Sequence, residues 1–335
     1  MTSKIVVAGV TSLYVSVGVD GFPLNYAAAH KPSWMRGGVT GSAGHIAQIL
    51  HTLGDEVRLC TLAGQDPIGQ AVRAGLRDVG LGEDGIIDGA SSMGVVLVGP
   101  DGQRMGFPYL TAVNSVEYPA DVFRHHAEGA ELAVMTNARF VRPLISHAER
   151  LGLPIAVDTH LISNVEDEYN RPWLEVADIV FSSHERLPCA PEQWMGQVFA
   201  RYPGCEIVGV GAGPEGCSLG LRDGTLIRAA AIAPRGVVST AGAGDALFAS
   251  FLHGWLATGN AARALEAAVL HVGWKIGDSF PGASSLTQTE LGSLANLYPV
   301  RMSVGRWDTG EVMDRPQNQG GPEPHEPQPP VAKQA

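Results

Sequence analysis

The sequence predicts an α/β protein in which a mainly parallel sheet is covered by helices on both faces. Short runs rich in Val, Ile and Leu recur between longer stretches of helical spacing. From about residue 130 these runs are apolar throughout, as expected of strands buried on both sides. The chain has 335 residues, 45% hydrophobic and 17% charged, which excludes a disordered chain as a whole and allows a large core.

The elements follow in order. Lys4 to Val10 is a β-branched run and the first strand. Residues 11 to 38 break the alternation with Gly, Pro and aromatic residues around a short alternating piece, Tyr14 to Val19. Gly37-Gly38-Val39-Thr40-Gly41-Ser42-Ala43-Gly44-His45 is then a glycine-rich entry into an amphipathic helix, Ala43 to Leu53. It suits either close approach of a small polar molecule to the backbone or a loop that needs positive φ. A strand over Val57 to Ala63 and a helix over Pro67 to Val79 come next. Residues 93 to 112 read as a strand that includes Gly94 to Val98, a Pro100-Asp101-Gly102 turn, and a second strand, a hairpin that can extend from the main sheet as a flap.

Strands over Leu132 to Thr136, Pro154 to Asp158, Asp178 to Ser182 and Glu206 to Val210 alternate with helices over Arg142 to Leu151 and Pro191 to Arg201. A glycine turn, Gly211 to Gly216, follows the last of these strands. Ser239-Thr240-Ala241-Gly242-Ala243-Gly244-Asp245 leads directly into a helix over Gly244 to Ala257, and another follows over Ala261 to Ile276. Small residues leave the backbone N–H groups of this turn open, and the helix adds the positive end of its dipole, so the turn suits an anion. A carboxylate beside it can take a proton from a hydroxyl that attacks a phosphoryl group, or simply cap the helix. From Pro316 the chain is rich in proline without apolar periodicity and reads as a disordered tail.

Composition removes other classes. The net charge is −11 and no Lys/Arg run occurs, which argues against nucleic-acid binding. The four cysteines lack C-x-x-C spacing, so neither a zinc ribbon nor a disulfide framework is expected. No His-Glu-x-x-His motif is present, and His125, His126 and His147 fall on helices expected to be exposed, without metal-ligand spacing. The N-terminus lacks a leader pattern and the apolar helices are interrupted by polar residues, so no membrane span and a cytoplasmic location are expected.

Taken in this order, the features over roughly residues 4 to 298 resemble the ribokinase-like PfkB family of carbohydrate and nucleoside kinases. The resemblance rests on the first strand with Gly9, the Gly-Gly signature near residue 37, LGDEVRLCTLAGQDPIG from Leu53 to Gly69, the flap, and AGAGDALFASFLHG from Ala241 to Gly254. It implies an α/β/α three-layer sandwich with a small β lid from about 11–38 and 93–112, a kinase domain over 1–302 and a Pro-rich disordered tail over 303–335. It implies ATP as donor, Mg²⁺ on its phosphates, a sugar or nucleoside acceptor between lid and sheet, and a homodimer through the lid. Asp245 is the implied general base, and Gly242, Ala243 and Gly244 the anion hole.

Further positions carry over with departures. Ser12, Tyr14, Gly41 and His45 fall at the acceptor, with Tyr14 in place of the usual acidic residue and His45 in place of Asn. Tyr14 can stack on a ring, including a nucleobase. Ser183, Gly211, Gly213, Gly216 and His271 fall on the nucleotide side, His271 near adenine, and Glu185 can reach Mg²⁺ through water. Ser183 and Arg186 replace both ends of the usual Asn-x-x-Glu, and Gly211 replaces Thr. Ser239 replaces an acidic residue six before Asp245, which weakens an expectation of monovalent-cation activation. The leading expectation is an ATP-dependent kinase of a sugar or sugar derivative. The alternatives are a nucleoside kinase and a catalytically weak, nucleotide- or metabolite-binding regulator on the same fold.

Overall fold

Eleven strands make the main sheet of the computed structural model, which describes residues 2–110, 113–280, 282, 285–308 and 312–314. In chain order the first half comprises β1 (Lys4–Ala8), β2 (Ser12–Gly18), β3 (Met35–Thr40), α1 (Ser42–Leu53), β4 (Glu56–Ala63), α2 (Pro67–Asp78), β5 (Ile86–Asp88), β6 (Ser92–Val98), β7 (Arg104–Tyr109) and α3 (Ala120–Ala127). Then come β8 (Leu132–Met135), α4 (Ile145–Arg150), β9 (Ile155–Leu161), α5 (Arg171–Leu174), β10 (Ile179–Ser183), α6 (Pro191–Arg201) and β11 (Ile207–Gly211). The remainder is β12 (Cys217–Leu221), β13 (Thr225–Ala229), α7 (Ala243–Thr258), α8 (Ala261–Lys275), α9 (Gln288–Ala295), β14 (Met302–Arg306) and β15 (Val312–Asp314).

The main sheet runs β15-β14-β13-β12-β11-β10-β9-β8-β1-β4-β5. It is parallel from β11 to β5 and antiparallel from β11 to β15. β1 shows why it needs helices on both faces. Ile5 and Val7 enter one core with α1, α2, α7, α8 and α9, while Val6 and Ala8 enter the other with α3, α4, α5 and α6. Strand order reverses between β1 and β8, and the crevice outside the carboxyl ends of the strands at such a point is where α/β sheets bind ligands.

A second sheet, β3-β2-β6-β7, stands over that end as the lid. Two antiparallel pairs are joined by a parallel β2–β6 pair. The Pro100-Asp101-Gly102 turn joins β6 to β7, with Gly102 at φ 79° as a turn of this kind requires. The outer ends of the flap expectation, 111 and 112, lie outside the described residues.

Three expectations change. The tail does not begin at 303: β14 pairs with β13 from Thr225–Arg306 to Ala229–Met302, and β15 pairs with β14. Without β14 the β13 edge would expose its backbone groups. Trp307 then packs on Phe199 at 5.1 Å between centroids and donates Nε1–H to Leu221 O at 2.7 Å. Residues 315–335 lie outside the described residues. The helix expected over Arg142 to Leu151 starts as a 3-10 turn, Arg139–Leu144, that contains Pro143, before α4 proper. His126, expected on an exposed helix, is buried because α3 packs Phe123, His126 and Ala127 inward.

Candidate active site

The glycine turn before α7 enters the helix through Gly242, whose φ of 69° is left-handed. Residues with a Cβ pay for that conformation, which explains glycine there. Ala246 N–H bonds Gly242 O, and Ala243 N–H bonds Thr240 O at 3.2 Å. No side chain caps the helix. The first-turn amides of Gly244 and Asp245 therefore have no acceptor of their own within the helix, as helix starts dictate. Ala243, expected as an anion-hole donor, uses its N–H internally.

Asp245 projects from this first turn and is 15% exposed. Its Oδ2 meets His45 Nδ1 at 3.4 Å, and its Oδ1 is shielded from solvent without a hydrogen-bond partner. Burial pushes this carboxyl up, but the His45 contact and the nearby charges of His160 and Lys275 outweigh it and hold Asp245 below the usual carboxylate range. A carboxylate kept ionised, with one oxygen unengaged, is equipped to accept a proton.

Asp158 and His160 come from the middle and second half of β9. Asp158 is 4% exposed, accepts the His160 N–H at 2.8 Å on Oδ1, and sets Oδ2 3.4 Å from His160 Nδ1. His160 itself is left-handed at φ 55°, a conformation uncommon for a residue with a side chain. Asp158 lies beside the anion turn, since a Cβ on Gly244 would stand 3.9 Å from its Oδ2. Burial pushes the Asp158 carboxyl up, and the Asp245 charge adds to the rise.

The lid presents two different faces. Pairing aligns Thr40, Ser12 and Ser92, then Gly38, Tyr14, Gly94 and Pro108, then Arg36, Ser16, Val96 and Gly106, then Gly18, Val98 and Arg104. Directly paired residues share a face. This one faces the site: Val96 and Val98 pack with Ala241 of the anion turn, alongside Tyr14 and Trp34, and Thr240 Oγ1 donates to Gly102 O at 3.1 Å. Tyr14 is half-buried, and the Asp245 charge raises its phenol further above its ordinary value. Its ring covers Gly94, where any Cβ would come within 2.5 Å of Cε1.

Ser12 is buried and donates to Ser92 Oγ at 2.6 Å, at the root of the lid. Gly41 is the N-cap of α1. His45, expected at the acceptor, instead has its ring fully buried and turned to Asp245.

Where the nucleotide is expected, β10 and β11 end together, with Ser183 paired to Gly211. Ser183 Oγ accepts the Glu185 N–H at 3.3 Å, and His184 Nδ1 stands 3.0 Å from Gly211 O. Gly213 and Gly216 shape the turn that follows, both at positive φ. His271, expected near adenine, is a core residue. It is 0% exposed, with Nδ1 2.8 Å from Ser250 Oγ and Nε2 accepting the Leu286 N–H at 2.9 Å, so no ring nitrogen is left for adenine. Burial lowers its pKa to about 3, as a neutral core imidazole requires.

Among the described residues, Asp158, His160 and Asp245 bring ligand atoms within 4.8 Å of one another. Two carboxylates beside an anion turn fit a hard divalent cation such as Mg²⁺. Glu185, expected to reach the metal, is exposed and outside this group. Ser16 and Lys275 are further site residues to which the sequence analysis gives no role. Ser16 lies on the inner lid face with a buried, unpartnered hydroxyl, and its only signal is alternation with Tyr14. Lys275 Nζ donates to Ala241 O, and its signal is a lysine ending an apolar helix.

Comparison with known proteins places the chain in a family. The pfkB family carbohydrate kinase profile matches residues 2–279. The chain is 26% identical over 268 residues to the ATP-dependent ribose-1-phosphate kinase of Halopiger xanaduensis, covering 78% of this chain and 88% of that protein. It is 32% identical over 234 residues to the acarbose 7(IV)-phosphotransferase of Actinoplanes sp., covering 66% and 74%. The solved structure of a microbiome-derived acarbose kinase superposes with a TM-score of 0.79 at 23% identity, over 88% of this chain and all of that one. No helix among the described residues is long and apolar enough to cross a membrane. The profile match over residues 2–279, on a fold that sets a largely buried carboxylate at a helix start beneath a β lid, identifies the chain as a member of the pfkB family of carbohydrate kinases, a phosphotransferase with an alcohol group as acceptor.

Proposed function

We propose that this enzyme transfers the γ-phosphoryl group of ATP to a hydroxyl of a sugar or sugar derivative, with Asp245 as general base. The observation that carries this is the unengaged Oδ1 of a carboxylate held ionised beside open helix-start amides. Oδ1 accepts the hydroxyl proton as the acceptor oxygen attacks. His45 keeps Asp245 oriented, while the amides at the start of α7 receive charge on the transferring group. Ser183 and the Gly211–Gly216 turn line the nucleotide side. Asp158 and Asp245 would hold Mg²⁺, which when bound neutralises phosphate charge. Tyr14 and Ser16 meet the acceptor from the lid, and Arg36 and Arg104 on the same face make that wall suitable for an acceptor carrying a phosphate.

The test is ADP formation across a panel of free sugars, nucleosides, sugar 1-phosphates and acarbose-like oligosaccharides. Acceptor-dependent turnover is expected, and a sugar or sugar phosphate is expected to exceed every nucleoside. Ligand binding without turnover for any acceptor would replace this reading with that of a regulator.

The outer lid face supports a homodimer. Leu13, Val15 and Val17, then Met93, Val95 and Leu97, then Met105, Phe107 and Tyr109 form adjacent apolar rows, and Met35, Phe107 and Tyr109 are each more than half exposed. An apolar surface of this kind marks an interface. Sedimentation velocity should give a dimer that Met105→Glu with Phe107→Glu converts to monomer; a monomeric parent protein would refute the interface.

A further inference from the structure

Lys275 closes α8, a helix whose buried residues are otherwise mostly apolar, and is only 2% exposed. Burying an ammonium is unfavourable unless its charge and its donors are put to use. Its Nζ donates to the backbone oxygen of Ala241 at 2.8 Å. Ala241 directly precedes Gly242, the N-cap of α7, and lies four residues before Asp245. A trans peptide is planar, with its C=O and N–H pointing in opposite directions. The ammonium that draws the Ala241 oxygen into the core therefore turns the Gly242 N–H the other way. One contact thus fixes the orientation of the peptide plane that opens the anion turn.

The charges facing this ammonium come from several elements. Asp245 on α7 and Asp278 beyond the end of α8 favour the charged form, Arg104 on the lid strand β7 opposes it, and neutral His271 stands one turn back on α8. Burial is the largest effect and brings the lysine down to about 8. It is still mostly protonated at neutral pH.

We propose that Lys275 is a positioning residue for phosphoryl transfer: its ammonium pins the Ala241 carbonyl so that the anion turn is held open toward the transferring group, and itself supplies the positive charge at that carbonyl. This rests on the kinase reading above. It predicts that the enzyme needs no alkali cation. Exchange of Na⁺ for K⁺ changes the rate less than about twofold, whereas a strong requirement for K⁺ would overturn the proposal.

The direct test uses Lys275→Met, which keeps the length and removes the charge and donors, and Lys275→Ala, which leaves space at the carbonyl. Lys275→Met lowers kcat about 100-fold, the scale of losing an anion-hole donor, with KM for ATP nearly unchanged. In Lys275→Ala, added ammonium or methylammonium ions restore part of kcat in a saturable way. A structural role alone would instead lower melting temperature and active fraction together, with no response to ammonium ions. Either that pattern or unchanged kcat in both variants would refute the assignment. Should Lys275→Met fail to fold, Lys275→Gln, which retains a donor without charge, takes its place and is expected to lose kcat without loss of ATP binding. Asp245→Asn is measured in parallel. If it stays active, the site reading has failed; if it is inactive while the Lys275 variants behave as the parent, only the role of Lys275 has failed.

Discussion

Asp245→Asn lowers kcat about 1000-fold while the protein remains folded and binds ATP. The size follows from the loss of the proposed general base, about 10²- to 10⁴-fold, since among the described residues Asp245 Oδ1 is the only buried carboxylate oxygen without a hydrogen-bond partner. Asn preserves shape and can still accept from His45, so packing around the first turn of α7 is kept. Acceptor-dependent ADP production and calorimetric melting check the two halves. A variant with parent-like turnover would mean that the hydroxyl proton leaves by another route.

The same residue fixes the acid side of the pH profile. Because Asp245 is held below the usual carboxylate range, it stays ionised through neutral pH and loses its base function only as pH falls through that lowered value. The linkage has a definite sign. A carboxyl lowered by folding contributes stability that is complete above its unfolded value near 3.9 and is lost as pH falls through the folded value. Asp245→Asn removes that contribution at neutral pH, so a small destabilisation accompanies the catalytic loss.

Local chemistry in contiguous residues is legible in the chain. Ser239 to Asp245 places small residues, an anion turn and a carboxylate in one heptapeptide, and the alternation from β8 to β11 announces a buried parallel sheet. What depends on distant pairing is not. His45 is legible as a polar residue at a helix start, but its turn toward Asp245, 200 positions away, is a property of how α1 packs on α7. His271 and Lys275 lie on one helix four residues apart, and one is a neutral core imidazole while the other is a charged tie to the anion turn. β14 hides because five residues that include Ser, Gly and Arg acquire strand character only once the β13 edge is beside them. Asp158 is visible as the end of an expected strand; the left-handed backbone of His160 and the approach of both side chains to Asp245 have no signature in composition.

Asp158→Asn separates stability from function at this site. Asp158 is buried beside a second carboxylate, and its pKa is raised by both effects, so the ionised form is less favourable in the folded protein than in the unfolded chain. Here the sign is opposite to that of Asp245. A raised carboxyl destabilises above its folded value, and the penalty fades as pH falls, disappearing below the unfolded value near 3.9. Asn at 158 removes the charge and keeps an oxygen for the His160 N–H. The metal-free variant should therefore melt above the parent at neutral pH, with the difference fading as pH falls toward the unfolded value near 3.9. Turnover should fall about 100-fold, because the site loses one of the two carboxylates that suit a divalent cation on the phosphates. Mg²⁺ distinguishes the causes: it should raise the melting temperature of the parent with nucleotide present and do so much less in the variant. A variant that is destabilised without metal at neutral pH would mean that the Asp158–His160 hydrogen bonds outweigh the charge, and one with full turnover would place the cation elsewhere.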